Sequence, residues 1–230
     1  MSDPDEIAAR VRQAREELLA VVSHDLRGPL NAITVALDGL RDPAVPAAAR
    51  DRYLAAIQRS VTRADRMLHD LITASELEAG ALQLVTGPVR VADLFEQVAR
   101  ACEHAVGQAK SKLVVDVAAG AGQVTADRER LVQALGHLIN NACRHARGSA
   151  TIELGARPAP GGGVELAVRD HGPGVAAEAL PQLFDPAWPG RKRRTALGLS
   201  LVRGIARCHG GDASAELPAD GGLQVAIRIP

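Results

Sequence analysis

The stretch SHDLRGPLNAI, residues 23–33, interrupts a helix that the residues around it call for. Ile7, Val11, Leu18, Val22, Ile33 and Leu37 supply the apolar positions of a helical pattern over residues 5–40. Gly28 and Pro29 fall inside that pattern, and in a helix interior they cost about 1 and 3 kcal/mol. They come directly after His24 and Asp25, an imidazole capable of nucleophilic attack followed by a carboxylate. Pro29 removes a backbone donor, frees carbonyl groups one turn earlier and bends the helix. Strain kept beside a reactive side chain points to a functional site. Taken alone, the same residues also read as a Ser-capped helix start after a break.

Outward from this stretch, RDPAVPAAAR (41–50) holds two prolines and predicts a turn. A second helix then runs to about residue 79, with Tyr53, Ile57, Val61, Ala64, Leu68 and Leu71 spaced alternately by four and three. Two helices joined by a short turn make an antiparallel hairpin. A hairpin alone cannot bury both apolar faces, so a two-fold dimer forming a four-helix bundle is expected.

Character changes after Gly80. ALQLVTGPVR (81–90) reads as a linker or an edge strand, because Pro88 excludes a central one. Helices are predicted over 91–108, 127–146 and 197–209, and strands over 112–118, 122–126, 150–156, 164–170 and 223–229. This alternation predicts helices covering one face of a mostly antiparallel sheet. The whole is therefore α+β, with a domain boundary near residue 82.

Composition narrows the function. Formal net charge is zero, so neither nucleic acid nor an anionic membrane is indicated as partner. Cys102, Cys143 and Cys208 lack C-x-x-C spacing, which fits a reduced intracellular protein without a zinc site. No apolar run approaches the roughly 18 residues of a membrane span, and MSDPDEIAAR (1–10) does not read as a signal peptide. A cytoplasmic chain is expected.

Four clusters in the second half carry candidate chemistry. In HLINNACRH (137–145), His137, Asn141, Arg144 and His145 share one helix face, which by itself also suits plain solvation. In VRDHGPGV (168–175), a strand delivers Asp170 to a turn with Gly172 and Gly174; glycines admit close backbone approach, and an aspartate at a strand end can read an exocyclic amine. LFDPAWPG (183–190) precedes four cations, Arg191, Lys192, Arg193 and Arg194. TALGLSLVRGIARCHGG (195–211) enters a helix through small residues, as anion-binding helix starts do. His69, His104, His171 and His209 have no metal-ligand spacing and read as surface or structural residues.

The order SHDLRGPL, N-box-like helix, D-x-G-x-G turn, F-x-P loop and L-G-L-S helix start resembles the two-component sensor histidine kinases over essentially the whole chain. Residues 1–82 resemble the dimerisation and histidine-phosphotransfer domain, and 83–230 the ATP-binding domain, an α/β sandwich of Bergerat (GHKL ATPase) type. The resemblance implies His24 as phosphoacceptor, Asp25 as the carboxylate fixing its tautomer, and Asn141 as the Mg²⁺ ligand. It implies Asp170 at the adenine amino group, and Gly172 and Gly174 in close backbone approach. Arg144 and His145 would face phosphates or ribose, and residues 191–194 would belong to the ATP lid. ATP, Mg²⁺, a homodimer and a response-regulator receiver domain are the implied cofactors and partners.

The chain departs from that pattern at named positions. His137 stands where Asn is common, and Arg194 and Ala196 occupy the first two glycines of a G-x-G-L-G-L box whose last glycine, Gly198, is kept. A Cβ at Ala196 narrows approach to phosphate, which predicts reduced ATP affinity, partly restored by the lid cations. Gly28 stands where phosphatase-competent kinases carry Thr or Asn, which predicts weak or absent phosphatase activity. Two other readings stay open: a histidine phosphotransferase with a degenerate ATP-binding domain, and a non-catalytic pseudokinase regulator.

Overall fold

The computed structural model describes residues 26–145, 151–185 and 196–230. His24, Asp25, the lid cations 191–194 and Trp188 lie outside the described residues. Contacts divide the chain into two units, Met1–Ser75 and Glu76–Pro230.

In the first unit, residues 26–40 are helical (α1), with Gly28 and Pro29 inside the helix. The connection 41–46 turns on Asp42, whose side chain accepts from the Ala44 N–H at 2.9 Å. Pro46 then precedes α2, Ala47–Glu78, and its carbonyl accepts from Ala49 and Arg50. The two helices come close where Gly39 faces Tyr53: a Cβ at Gly39 would stand 2.5 Å from the ring. Much of the apolar stripe is uncovered within one chain. Leu30, Val35, Leu37, Leu54, Val61, Leu68 and Ile72 are each between 46 and 68% exposed.

The second unit is two-layered. Its five-stranded sheet has the order β2-β4-β5-β7-β6, with β2 Lys112–Val117, β4 Thr151–Pro158, β5 Val164–Asp170, β6 Asp212–Glu216 and β7 Leu223–Ile229. Only the β2–β4 pair is parallel. A separate antiparallel pair joins β1, Gly87–Arg90, to β3, Gln123–Ala126, so Pro88 sits in a two-stranded ribbon away from the main sheet. Helices α3 (Val91–Gln108), α4 (Arg128–His145) and α5 (Ala196–Cys208) cover one sheet face.

Period-2 alternation decides which face that is. Ile152, Leu154 and Ala156 of β4, Val164, Leu166 and Val168 of β5, and Leu223, Val225, Ile227 and Ile229 of β7 all point into the core. Opposite them lie Leu94, Phe95 and Val98 of α3, Leu131, Leu135, Leu138 and Ile139 of α4, and Val202 and Ile205 of α5. Each such side chain contributes about 1.5–3 kcal/mol by leaving water.

The outer face carries charge. Arg169 pairs in register with Glu153 and Gln224, and Arg228 with Glu165 and Asp212. The expected mostly antiparallel sheet under three helices is the one found. Strand β6, DASAE, was not expected, because Asp, Ala and Ser are poor strand formers. It forms because β7 offers it a ladder and because Arg203 fixes Asp212 at its start, at 2.8 and 3.0 Å.

Candidate functional site

Helix α4 presents the first half of the site. Asp127 caps it, accepting from the Arg130 N–H at 3.1 Å through Oδ1. Leu131, Leu135, Leu138, Ile139 and Ala142 are buried, which turns His137, Asn141, Arg144 and His145 to the opposite side. His137 and Asn141 are half-buried, and Arg144 and His145 are exposed. Neighbouring Asn140 is engaged with its own helix, its Nδ2 donating to the Gly136 carbonyl at 2.6 Å. Cys143 is half-buried, and burial pushes its thiol above the ordinary value, away from reactivity. The first turn of α5 meets this face: a Cβ on Gly198 would lie 3.5 Å from His137 Nδ1. The structure thus brings together two of the residues singled out in sequence.

The second half is the turn after β5. Asp170 continues the inward series Val164, Leu166, Val168 and is only 6% exposed. In register it lies between Ile152 of β4 and Leu223 of β7, both apolar. Its Oδ1 accepts from the Gly172 N–H at 2.8 Å. Its other oxygen has no hydrogen bond among the described residues. A buried carboxylate with one committed oxygen, set between aliphatic side chains, suits a planar apolar group carrying an N–H donor. Gly174 lies at φ 67°, and a Cβ there would stand 2.8 Å from the Gly222 carbonyl oxygen.

The flanking residues point the other way. Arg169 binds Asp220, and His171 Nε2 lies 2.7 Å from Glu153 Oε1. The Arg169 guanidinium holds the Asp220 carboxyl below the usual carboxylate range. Phe184, in the LFDPAWPG stretch, is buried, with the Arg203 guanidinium 5.3 Å from its ring centroid.

Sequence reading missed a second buried carboxylate, Asp127. Its Oδ2 accepts from the Val85 N–H at 2.8 Å, and its own N–H donates to His209 Nε2 at 2.9 Å. His209 Nδ1 in turn donates to the Ile205 carbonyl at 2.8 Å. His209 therefore has a structural role, joining the end of α5 to the start of α4. Among the described residues no three His, Cys, Asp or Glu side chains converge as a metal site.

Family models match both parts of the chain. Residues 14–80 match the His Kinase A (phospho-acceptor) domain, and residues 126–230 match the histidine kinase-, DNA gyrase B- and HSP90-like ATPase. A phospho-acceptor module followed by an ATPase module of this type makes up the core of a two-component sensor histidine kinase. It is 32% identical to an uncharacterized sensor-like histidine kinase of Rhizobium meliloti, over 97% of this chain and 44% of that protein. It is 30% identical to the sensor protein DivL of Caulobacter vibrioides, over 100% of this chain and 30% of that protein. The chain thus spans less than half the length of these curated relatives. Among solved structures, the Acinetobacter baumannii histidine kinase AdeS matches with a TM-score of 0.63 and 25% identity, covering 90% of this chain and 98% of that one. No helix among the described residues is long and apolar enough to cross a membrane.

Proposed function

We propose that this chain is an ATP-dependent protein-histidine kinase core that autophosphorylates His24 and passes the phosphoryl group to an aspartate of a response regulator. The observation that carries the reading is Asp170, buried at the core-facing end of β5 with one oxygen uncommitted and a glycine turn beside it. That carboxylate accepts from the exocyclic amine of adenine, while Ile152 and Leu223 flank it. Gly172 and Gly174 keep the turn low beside the nucleotide, and Arg144 and His145 face its charged or ribose end. His137 and Gly198 close the gap between α4 and α5.

Asn141 offers an amide oxygen to Mg²⁺, a hard cation that takes its other ligands from phosphates and water, so no carboxylate cage is required. Bound ATP supplies the γ-phosphoryl group. His24 attacks the γ-phosphorus with its ring-nitrogen lone pair as the bond from that phosphorus to the β–γ bridging oxygen breaks, and ADP leaves with the bonding electrons. Asp25 keeps the ring proton on the other nitrogen.

The domains in this reading are 1–82 for dimerisation and phosphotransfer and 83–230 for ATP binding. The exposed aliphatic stripe of α1 and α2 supports a homodimeric four-helix bundle. A cytoplasmic location goes with these partners. Arg194 and Ala196, in place of two glycines, favour a second reading: a histidine phosphotransferase whose ATP-binding domain has decayed. A pseudokinase regulator would keep neither activity.

Incubation with γ-labelled ATP and Mg²⁺ tests these readings. The kinase gives acid-labile label that His24→Gln abolishes. Label gained only from a phosphorylated receiver domain supports the relay. A folded chain that stays unlabelled under both conditions refutes both enzymatic readings.

A further inference from the structure

We infer that the β6–β7 loop, through Asp220 and Gly222, positions Asp170 and so sets the chain's preference for a 6-amino purine; this rests on the nucleotide reading above. Three consecutive residues at the end of β5 are each held from outside their own strand. Arg169 is gripped by Asp220, and its guanidinium is largely covered, with Nε buried and without a hydrogen-bond partner among the described residues. Losing Asp220 would therefore leave a largely covered cation without its hydrogen-bonded carboxylate, with Glu153 and Glu216 acting on it only as nearby charges. Asp170 is overlaid by Gly222, at φ 85°, where any Cβ would collide with the Asp170 carbonyl oxygen and come within 3.0 Å of the His171 Cα. His171 is tied to Glu153 of β4.

The loop also meets the far side of the turn. A Cβ on Gly174 would stand 2.8 Å from the Gly222 carbonyl oxygen and 3.2 Å from Leu217 Cδ2. The segment 217–222 thus touches the turn at Gly174 and at Asp170, on either side of Gly172, whose N–H occupies one oxygen of Asp170. None of these residues is placed to contact the base. They fix where the second carboxylate oxygen stands, and a hydrogen bond weakens steeply with misalignment. Asp220 and Gly222 are therefore positioning residues.

The test compares binding of Mg·ATP with Mg·purine-riboside triphosphate, which lacks the 6-amino group, by calorimetry on the whole chain. The wild type should prefer ATP by about tenfold or more, the usual worth of a hydrogen bond to a charged acceptor. Gly222→Ala and Asp220→Asn should each cut that preference, by about tenfold and about threefold respectively, through weaker ATP binding. Affinity for the 6-unsubstituted analogue should stay within about twofold. Circular dichroism melting checks folding, and Asp220→Asn introduces no steric clash, so it carries the test if Gly222→Ala fails to fold. Unchanged preference in folded variants overturns this inference alone. Equal loss for both nucleotides also overturns it, since that is general weakening. A wild type without any preference for ATP overturns the adenine reading of Asp170 as well.

Discussion

Replacing Asp127 with Ala removes two supports at one position. Its Oδ1 caps α4 at the Arg130 N–H, and its Oδ2 holds the Val85 N–H at 2.8 Å, tying residues before β1 to the start of that helix. The Asp127 side chain is buried, whereas Val85 is exposed. Losing a helix cap costs about 0.5–2 kcal/mol, and the Val85 N–H, exchanging the carboxylate for water, adds about 0.5–1.5 kcal/mol. A combined loss of about 1–3 kcal/mol is expected, which in a domain of this size lowers Tm by about 3–10 °C. Asp127→Asn keeps one acceptor oxygen and turns the other into a donor, so it should lose roughly half as much. Thermal melting gives the size of the effect, and amide hydrogen exchange gives its location: the Val85 and Arg130 amides should lose protection first. An Asp127→Ala chain melting within about 2 °C of wild type, with the Val85 amide still protected, would refute the reasoning.

Two further predictions concern other parts of the chain. Gly39→Ala should destabilise the hairpin by about 1 kcal/mol or more, because the new Cβ displaces the Tyr53 ring, 2.5 Å away. In a Tyr53→Ala background the same change should stabilise by about 1 kcal/mol through helix propensity, so one sign in both backgrounds, read by thermal melting, counts against the contact. Asp212 is held well below its usual range, chiefly by the hydrogen bond from Arg203. A depressed folded value means that the stabilisation is complete above the ordinary aspartate value of 3.8 and is lost as pH falls below it toward the folded value. The pair is partly exposed, so Asp212→Asn should cost about 1 kcal/mol at pH 7. Wild type and variant should draw together as pH falls below 3.8, and melting curves that stay equally separated down to about pH 2 would contradict the assignment.

Legibility in the sequence followed the range over which each signal acts. Strands β5 and β7 were readable to the residue because alternating aliphatic side chains are a local pattern, and α3 because its apolar face repeats every three to four residues. Strand β6 was not readable, since nothing in DASAE asks for a strand until β7 stands beside it. The polar face of α4 and the Asp170 turn were read from spacing. What held them in place was not: Asp127 meets Val85 and His209 across 42 and 82 residues, and Gly222 meets Asp170 across the β6–β7 loop. A glycine whose role is to be overlaid by a distant carbonyl carries no local mark except its identity. His209 looked bland for the same reason, because its partner is a backbone N–H, which no spacing rule reveals.

The same sheet that forms the core also explains how a carboxylate stays buried at Asp170. Three aliphatic residues of β5, Val164, Leu166 and Val168, share its face. Because the side-chain period is two, slipping β5 by one residue would turn all three to water and carry Arg169 and Ala167 inward. At about 1.5–3 kcal/mol each, their burial holds the register with roughly 5–9 kcal/mol, more than the cost of a polar group that lacks one hydrogen bond, about 1–3 kcal/mol. The neighbours on the strand therefore decide which way Asp170 points, and the carboxylate has no choice in it. The Gly172 N–H answers one of its oxygens and leaves the other without a hydrogen-bond partner among the described residues. A ligand that brings an N–H donor to that oxygen gains a charge-assisted hydrogen bond, and one that brings an acceptor meets repulsion. In the nucleotide-binding reading proposed above, selectivity for an amino-bearing base would arise from the hydrophobic register of the sheet, and a substitution that weakens the register, such as a polar residue at Val168, should blur nucleotide choice along with stability.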